Sequence, residues 1–344
     1  MPLKLILIAK QKLEFVEYSD SPLSPTSILL RTIYSGVSHG SETMLFQGNA
    51  PKFEWTWDSA MRHFQREKTT NNKSSTIGYE SVARVEKIGD DVSGWEKGDL
   101  VWIDAPHRET HILDLSKPSP FMRFSADTDP KQIALFALSR VSLGGVHDVN
   151  PSIGDSIGVC GLGVVGLMCI QLLKKAGVRN IVGIDSIENR LALAKEFGAI
   201  PINFSSAYPA QTTKEMIGSL DAVIETSGSY SGLTTAIKCV APMGRVVVVS
   251  SYGNQSEGVY LGHEFHRNRI TLIPSMTIND CTHPKYPLWN LERLNKEAAL
   301  LLTDGTLTTD KLITDIIPFS NAINAFETIL SNGNPPLKIL FNYE

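Results

Sequence analysis

One stretch of this 344-residue chain decides its fold: Ser156-Ile157-Gly158-Val159-Cys160-Gly161-Leu162-Gly163-Val164-Val165-Gly166. A short β-prone run leads directly into the pattern G-x-G-x-x-G, and an apolar pattern with helical spacing follows it as far as Gly177. A second β-prone run, residues 180–184, ends on Asp185, nineteen residues after the third glycine. The order strand, glycine turn, helix, strand and acid is typical of a dinucleotide-binding unit.

The residue types in this glycine pattern fit the shape and charge of a dinucleotide. Gly161 permits the tight turn, Gly163 lets a pyrophosphate approach the backbone, and Gly166 lets the helix pack on the sheet. The backbone N–H groups at the helix N-terminus supply donors and positive potential to the phosphates. We therefore predict that the whole run 161–166 contacts the cofactor.

Asp185 indicates which dinucleotide binds. A carboxylate at this place accepts hydrogen bonds from the adenosine ribose hydroxyls and repels a 2′-phosphate, so NAD is favoured over NADP. Arg190 follows five residues later and could soften that repulsion. However, residues 188–192 look like the start of an amphipathic helix, which favours an exposed surface arginine at this position.

Length and composition restrict the classes of protein to which the chain can belong. It is too long for one comfortable core, which predicts two domains. The net charge of −4 gives no reason to expect nucleic acid or a membrane surface as a partner, so we expect a small-molecule substrate. No apolar run approaches the roughly twenty residues that span a bilayer. The opening run 1–8 is too short for a signal peptide and is predicted to be the first β-strand.

The four cysteines show neither paired metal-ligand spacing nor a disulfide framework. Cys160 lies on the predicted buried strand and Cys169 on the helix that follows it, which is typical of core cysteines. This usage indicates a reducing, cytoplasmic setting.

The N-terminal third is predicted to be a small β-barrel, because short β-prone runs alternate with Gly, Pro and polar turns. These runs are residues 27–34, 81–88, 100–103 and 111–113. The polar stretch 47–75, which contains Trp55 and Trp57, interrupts the pattern. A loop this long is usually functional or disordered. Two readings stay open for it: a lid that supplies substrate contacts, or a surface insertion.

The second half of the chain alternates β-prone and helical segments, which is typical of a doubly wound parallel sheet. A helical pattern runs from Pro130 to His147, and a later one spans residues 288–303. Further strands are predicted at 199–203, 221–225, 245–250, 270–273 and, near the end of the chain, 337–341. We therefore predict an inserted dinucleotide domain, residues 148–276, between two segments of another domain, residues 1–147 and 277–344.

Several further motifs have the residues of a known family: Ser35-Gly36-Val37-Ser38-His39-Gly40-Ser41-Glu42, Gly78-Tyr79-Glu80, Gly98-Asp99-Leu100-Val101, Glu225-Thr226-Ser227-Gly228, and Pro318-Phe319 with Ala322, Ala325 and Phe326. With these, the chain resembles the medium-chain dehydrogenase/reductase superfamily, in its zinc alcohol dehydrogenase-like group, over nearly its full length. The resemblance implies a GroES-like β-barrel catalytic domain with an inserted Rossmann domain, and an active site in the cleft between them.

The chain departs from that family at both of its zinc sites. The family's structural zinc is held by four closely spaced cysteines, and this chain has none before Cys160, so we expect no structural zinc. The catalytic zinc of the family needs a cysteine, the histidine of Gly-His-Glu, and a further Cys or Glu. By this resemblance His39 takes the place of the cysteine, Tyr79 takes that of the histidine, and Glu80 matches the glutamate.

Two readings of the catalytic site follow from these departures. In the first, His39 and Glu80 hold a zinc ion together with a recruited side chain, His107 or His111, and the metal polarises the alcohol oxygen.

In the second reading, no metal is bound, and His39, Ser41 and Tyr79 manage the proton that an alcohol loses on oxidation. A histidine is the natural base near neutral pH. Ser41 matches the family's relay hydroxyl, and Tyr79 could donate a hydrogen bond to the developing oxyanion. His107 resembles a Pro-His signature of a zinc-optional branch. We prefer this metal-free reading.

Each of these residues also has a purely structural reading. His39 could hydrogen-bond a loop, and Tyr79 could be a barrel aromatic. Glu80 could pair with Arg84 or Arg140.

Other residues are placed by the predicted strands at the edge where dinucleotides bind. Ligands of such sheets lie beyond the carboxyl ends of the strands. The residues that follow three predicted strands, and that we expect near the ribose or the nicotinamide, are Thr226, Ser227, Ser250, Ser251, Pro274 and Ser275.

The leading hypothesis is an NAD-dependent oxidoreductase that interconverts a secondary alcohol and its ketone, with a polyol, sugar or cyclitol-like substrate. The first alternative is a zinc-independent enone or quinone reductase, although such enzymes commonly use NADPH. The second is a non-catalytic NAD-binding protein. By analogy with the family we expect a homodimer or homotetramer, formed through an exposed sheet edge near residues 246–250 or 270–275.

Overall fold

The structure is a computed structural model that describes residues 1–66, 74–205, 208–253, 258–276, 281–331 and 335–344. The strands, in chain order, are β1 (Leu3–Ala9), β2 (Lys12–Glu17), β3 (Ser27–Val37), β4 (Trp55–Asp58), β5 (His63–Arg66), β6 (Ser75–Thr76), β7 (Ser81–Ile88), β8 (Leu100–Ile103), β9 (Thr110–Asp114), β10 (Phe121–Phe124), β11 (Ser156–Cys160), β12 (Asn180–Asp185), β13 (Ile200–Asn203), β14 (Leu220–Glu225), β15 (Val240–Val248), β16 (Thr271–Pro274), β17 (Asp315–Pro318) and β18 (Ile339–Asn342).

The α-helices are α1 (His39–Phe46), α2 (Pro130–Ile133), α3 (Phe136–Val149), α4 (Val164–Lys175), α5 (Glu188–Glu196), α6 (Pro209–Ile217), α7 (Tyr230–Cys239), α8 (Leu291–Thr303) and α9 (Ala322–Ser331). None of the helices in the described ranges combines the length and apolar character that crossing a bilayer requires.

The chain divides into two compact units, one made of Met1–Phe136 with Thr309–Glu344 and the other of Ala137–Thr308. These boundaries lie outside the predicted insertion of residues 148–276, so helices α3 and α8 join the second unit. The reason is direct packing between the two helices: the Ser139 hydroxyl of α3 donates to the Ala298 carbonyl of α8 at 3.4 Å.

The first unit is β-rich, as the sequence predicts. Its largest sheet has the order β10-β8-β7-β3-β18-β17, with β9 paired to β3. Strand β3 pairs with β7 along one edge and with β9 and β18 along the other, which accounts for its length and its burial. Strands β7 and β8 begin and end where predicted, because alternating apolar residues and flanking polar turns define both.

The polar stretch 47–75 contains regular structure, which is compatible with either of its two readings, a lid or a surface insertion. Strands β4 and β5 form an antiparallel hairpin in which Trp57 faces Phe64, with ring centroids 5.0 Å apart. Both rings are exposed, at 40% and 53%. Residues 67–73 of this stretch lie outside the described residues.

The described strands of the second unit form a parallel six-stranded sheet with the order β13-β12-β11-β14-β15-β16. Its central strands are nearly continuous apolar runs because helices cover such sheets on both faces. The strand order reverses between β11 and β14, which is where ligands bind in folds of this kind. The predicted doubly wound sheet is confirmed.

Strand β15 starts earlier and ends earlier than predicted, at Val240 and Val248. It also lies between β14 and β16, so the expected exposed edge near residues 246–250 is wrong. Strand β16 is the edge on that side of the sheet.

Candidate active site and cofactor site

The glycine turn has the geometry that the sequence predicts for a phosphate-binding loop. Gly161 has φ +93°, a conformation that favours glycine. A Cβ atom on Gly166 would lie 2.0 Å from the Gly161 carbonyl oxygen, so only glycine allows helix α4 to start this close to the turn. Next to Gly163, the N-cap of α4, a Cβ atom would meet nothing within 4 Å. The turn is therefore open on the side that a pyrophosphate would approach.

Asp185 is fixed at the carboxyl end of β12, beside this turn. Its Oδ2 accepts a hydrogen bond from the Leu162 backbone N–H at 2.7 Å, and its Oδ1 accepts one from the Ile187 N–H at 2.9 Å. An ionised carboxylate has about four acceptor positions, so two bonds leave capacity for ribose hydroxyls.

The structure contradicts the expectation that Arg190 is an exposed surface arginine. Its side chain is only 17% exposed, and a guanidinium nitrogen lies 3.9 Å from Asp185 Oδ2. Burial lowers the pKa of Arg190, and the charge of Asp185 opposes that shift. Arg190 therefore offsets part of the negative charge that Asp185 would present to a cofactor.

The remaining predicted cofactor residues lie at the same edge of the sheet, after β14 and β15 and at the end of β16. The Thr226 hydroxyl donates to the Gly161 carbonyl at 2.6 Å, which ties the loop after β14 to the glycine turn. The Ser275 N–H donates to the Val248 carbonyl at 2.8 Å. Ser250 and Ser251 follow β15, and Ser251 is exposed.

In the first unit, helix α1 begins at His39, with Ser38 as its N-cap. The Ser38 backbone N–H donates to Glu42 Oε1 at 2.8 Å. A side chain within the helix therefore accepts the hydrogen bond of the N-cap N–H. The Ser38 hydroxyl does not cap the helix and remains available for another contact. His39 is half-buried and Ser41 is exposed.

The Tyr79 hydroxyl makes that contact by donating a short hydrogen bond to Ser38 Oγ. Ser41 also hydrogen-bonds to Tyr79. Burial and the nearby Glu80 raise the pKa of Tyr79 well above its usual value, so its hydroxyl stays protonated and acts as a donor. Sequence reasoning missed Ser38, although its place immediately before His39 was a usable signal.

His107 is fully buried in a chain of hydrogen bonds and cannot touch a substrate. Its Nε2 lies 2.8 Å from Glu42 Oε2, and its Nδ1 lies 2.7 Å from Ser35 Oγ. Ser35 in turn contacts the Tyr343 hydroxyl at 2.8 Å. The predicted catalytic role therefore becomes a positioning role, because His107 holds the carboxylate that fixes Ser38.

Glu80 pairs with Lys338 and not with Arg84 or Arg140, so both expected partners are wrong. Lys338 Nζ lies 2.5 Å from Glu80 Oε2 and also donates to the Val37 carbonyl at 3.0 Å. Burial raises the pKa of Glu80 to about 7, against the opposing effect of Lys338. The signal for Lys338 was a single lysine within an apolar C-terminal strand.

The chain is similar to known dehydrogenases over one segment and over nearly its whole length. Residues 164–292 match the family model described as zinc-binding dehydrogenase. The chain is 26% identical over 332 residues to D-guloside 3-dehydrogenase of Escherichia coli (strain K12), which covers 94% of both proteins. The chain is therefore similar to zinc-type alcohol dehydrogenases of the medium-chain dehydrogenase/reductase superfamily.

Solved structures of dehydrogenases share the fold of the chain. The 2R,3R-butanediol dehydrogenase from Bacillus subtilis aligns with a TM-score of 0.78 at 19% identity over 100% of both chains. A structure from Sinorhizobium meliloti 1021, bound to NADP, aligns with a TM-score of 0.78 at 17% identity over 99% of both chains. At these identities the alignments establish the fold.

The donors that the structure describes in this chain do not fit a catalytic zinc. Such a site needs three deprotonated protein ligands. Here an ammonium occupies Glu80 Oε2, and Tyr79 keeps its proton. His111 lies buried on β9, where burial and Arg108 lower its pKa to about 3, so it is neutral but could supply only one of the three ligands. In the part of the chain that the structure describes, no group of three or more His, Cys, Asp or Glu residues could hold a metal ion.

Proposed function

We propose that this chain is an NAD-dependent dehydrogenase that interconverts a secondary alcohol of a polyol, sugar or glycoside and the corresponding ketone. One observation carries the proposal above the others. The open glycine turn at Gly161 and Gly163 meets a fixed acid, Asp185, at the switch point of a parallel sheet. This arrangement supports dinucleotide binding.

The residues at the sheet edge divide between the two halves of the cofactor. The turn 161–166 would bind the pyrophosphate, and Asp185 would bind the adenosine ribose. The loops after β14 and β15 and the end of β16 lie on the other side of the switch point and would border the nicotinamide half. When bound, the nicotinamide supplies the hydride acceptor for alcohol oxidation.

Asp185 supports NAD over NADP, because its carboxylate would repel a 2′-phosphate. Arg190 weakens this selection, since its guanidinium lies 3.9 Å from the same carboxylate. The NADP-bound structure from Sinorhizobium meliloti 1021 shows that a protein of this fold takes the phosphorylated cofactor. We therefore expect a preference for NAD rather than absolute exclusion of NADP.

The proton chemistry rests on the N-terminus of α1 and on Tyr79. Oxidation breaks the carbinol C–H bond and the O–H bond, with the hydride leaving to the cofactor and the proton to a base. His39, half-buried at the first position of α1, is the base in this proposal. Tyr79 keeps its proton because its pKa is raised, and in this proposal its hydroxyl turns from Ser38 Oγ to donate to the substrate oxygen.

The substrate class is supported by relatives rather than by a described cavity. Their names give a D-guloside oxidised at position 3 and a 2,3-butanediol, which are both secondary alcohols. Oxidation of a secondary alcohol needs a base and a hydrogen-bond donor to the oxygen, which are the roles proposed for His39 and Tyr79.

A panel of glycosides, sugars and polyols tests the proposal, each incubated with the protein and either NAD or NADP. We expect reduced cofactor and one equivalent of ketone from at least one sugar or glycoside, faster with NAD. Turnover of enones or quinones alone, with NADPH, would replace the proposal by the reductase alternative. Binding of NADH without turnover of any substrate would favour the non-catalytic alternative.

A further inference from the structure

Glu225 is a fully buried carboxylate at the carboxyl end of β14. In the sheet it lies between Cys160 of β11 and Val248 of β15, directly at the cofactor edge. Burial of a charge here raises the pKa of Glu225. A group this costly to bury needs several hydrogen bonds to remain ionised.

Glu225 receives those bonds from two different loops. The Ser227 N–H donates to Oε1 at 2.7 Å, and the Ser227 hydroxyl donates a short bond to the same oxygen. The Tyr252 hydroxyl donates to Oε2 at 2.5 Å. Ser250 also hydrogen-bonds to this side chain. The groups that stabilise its charge are thus hydroxyls and a backbone N–H, which come from the loops after β14 and β15.

The loop after β14 also packs directly against the glycine turn. A Cβ atom on Gly161 would lie 2.5 Å from the Ser227 backbone nitrogen, and Thr226 donates to the Gly161 carbonyl. Ser227 therefore lies between Glu225 and the turn, while the hydrogen bond to the turn itself comes from Thr226. The Ser227 hydroxyl proton is also committed to Glu225, so toward a ligand Ser227 can act only as an acceptor.

We propose that Glu225 is a positioning residue for the nicotinamide half of the cofactor. It acts through Ser227 and Tyr252, which it holds in one arrangement at the edge of β14 and β15. The adenosine half lies on the opposite side of the switch point, at Asp185, and does not depend on Glu225. This inference rests on the proposed dinucleotide binding and extends it to a residue that does not itself contact the cofactor.

The test is the affinity of the purified full-length protein and its E225Q variant for NADH and for AMP, measured by calorimetry. The glutamine amide cannot accept all of these bonds, so we expect NADH to bind roughly tenfold more weakly. AMP, which has only the adenosine half, should bind within about twofold of wild type. The exposed Glu215 on α6 provides the matched control, E215Q, which should change neither affinity.

Tyr252→Phe provides a second variant that does not depend on the folding of E225Q. It removes one donor to Glu225 and should weaken NADH binding while sparing AMP. Both changes act on the same hydrogen bond. The loss of NADH affinity in the double variant E225Q/Y252F should therefore be smaller than the sum of the two single losses, expressed as free energies.

Three results would overturn the inference. Equal NADH affinity of wild type, E225Q and Y252F would remove it while leaving the proposed function intact. Equal losses for NADH and AMP would show a general structural role. Failure of the wild-type protein to bind NADH or NADPH would defeat the proposed function as well.

Discussion

Glu80 and Lys338, 258 residues apart in the sequence, form an ion pair in which both side chains are buried. The pair joins the residue that precedes β7 to the residue that precedes β18, and the Val37 carbonyl of β3 completes the coordination of the ammonium. Removing one partner of such a pair strands a buried charge, which costs far more than the pair itself contributes.

Replacement of Lys338 by Met should therefore lower the free energy of unfolding by about 3–5 kcal/mol at neutral pH. The loss should shrink at acid pH. Without the ammonium, the pKa of Glu80 in the folded protein lies above its value in the unfolded chain. The variant is therefore most stable at a pH below the unfolded-chain pKa and loses stability as pH rises through the folded-state pKa. Denaturant unfolding at several pH values measures both effects.

The exposed Lys87 on β7 supplies the control, because Lys87→Met changes the same residue type outside the pair. The double variant Glu80→Gln/Lys338→Met should regain much of the lost stability. A Lys338→Met variant as stable as Lys87→Met would show that the Glu80–Lys338 pair does not stabilise the folded protein.

A second prediction concerns His147, whose Nδ1 lies 3.0 Å from His283 Nε2. The Lys285 N–H donates to His283 Nδ1, so the His283 proton is on Nε2 and is donated to His147. Protonation of His147 would destroy this bond. Burial, with His283, Lys285 and Arg293 nearby, lowers the pKa of His147 to about 4.

Because this folded-state pKa lies below the usual 6.5, the folded protein binds fewer protons than the unfolded chain between these values. His147 therefore stabilises the protein above pH 6.5, and that contribution is lost as pH falls toward 4. His147→Gln keeps an acceptor but removes the titration, so its stability should fall less steeply over this interval. His63→Gln, at an exposed site, should keep the wild-type slope; the same slope in His147→Gln would refute the assignment.

A third prediction concerns the proton chemistry. Tyr79→Phe removes the proposed donor to the substrate oxygen, so kcat on the best alcohol should fall roughly 100-fold. NADH affinity should stay unchanged, since Tyr79 belongs to the first unit and the predicted cofactor residues belong to the second. Ser38→Ala should cause a smaller loss, because it removes an acceptor that orients the Tyr79 hydroxyl but leaves the donor itself in place.

Tyr34→Phe on β3 is the matched control for Tyr79→Phe, since it removes a hydroxyl from a half-buried tyrosine of the same unit. Steady-state rates with calorimetric NADH titrations separate the two effects. A Tyr79→Phe enzyme with wild-type kcat would assign the donor role to another residue.

A fourth prediction concerns assembly. Strand β16 pairs with β15 and is the sheet edge on that side among the described strands, so its outer backbone groups are open to another strand. We expect a homodimer through this edge. Thr271→Lys adds a charge there and should shift the mass measured by light scattering toward the monomer, whereas the exposed Ser219→Lys should not. A monomeric wild-type protein would contradict the prediction.

The sequence predicts the second unit well because its signals are local. Apolar strands of five or six residues, followed by Gly161, Ser186 and Thr226, define β11, β12 and β14 without tertiary information. The glycine turn and Asp185 are likewise consecutive elements of one unit, so their relative positions follow from the pattern itself.

The first unit is predicted less completely because its site depends on distant residues. Nothing near Glu80 in the sequence points to Lys338, and nothing near His107 points to both Glu42 and Ser35. The β4–β5 hairpin is largely exposed, and its only apolar alternation is the four-residue run Trp55-Thr56-Trp57-Asp58, which is too short to predict a strand. Arg190 was misjudged because a helical pattern does not show that its face lies against Asp185.

The central chemical claim is that His39 and Tyr79 handle the substrate proton without a catalytic metal. The most direct measurement is zinc content by elemental analysis on the same samples whose alcohol oxidation is measured, before and after removal and return of zinc. We predict that the rate of NADH formation does not change as zinc falls well below one per chain. A rate that rises in proportion to bound zinc, up to one per chain, would contradict the account.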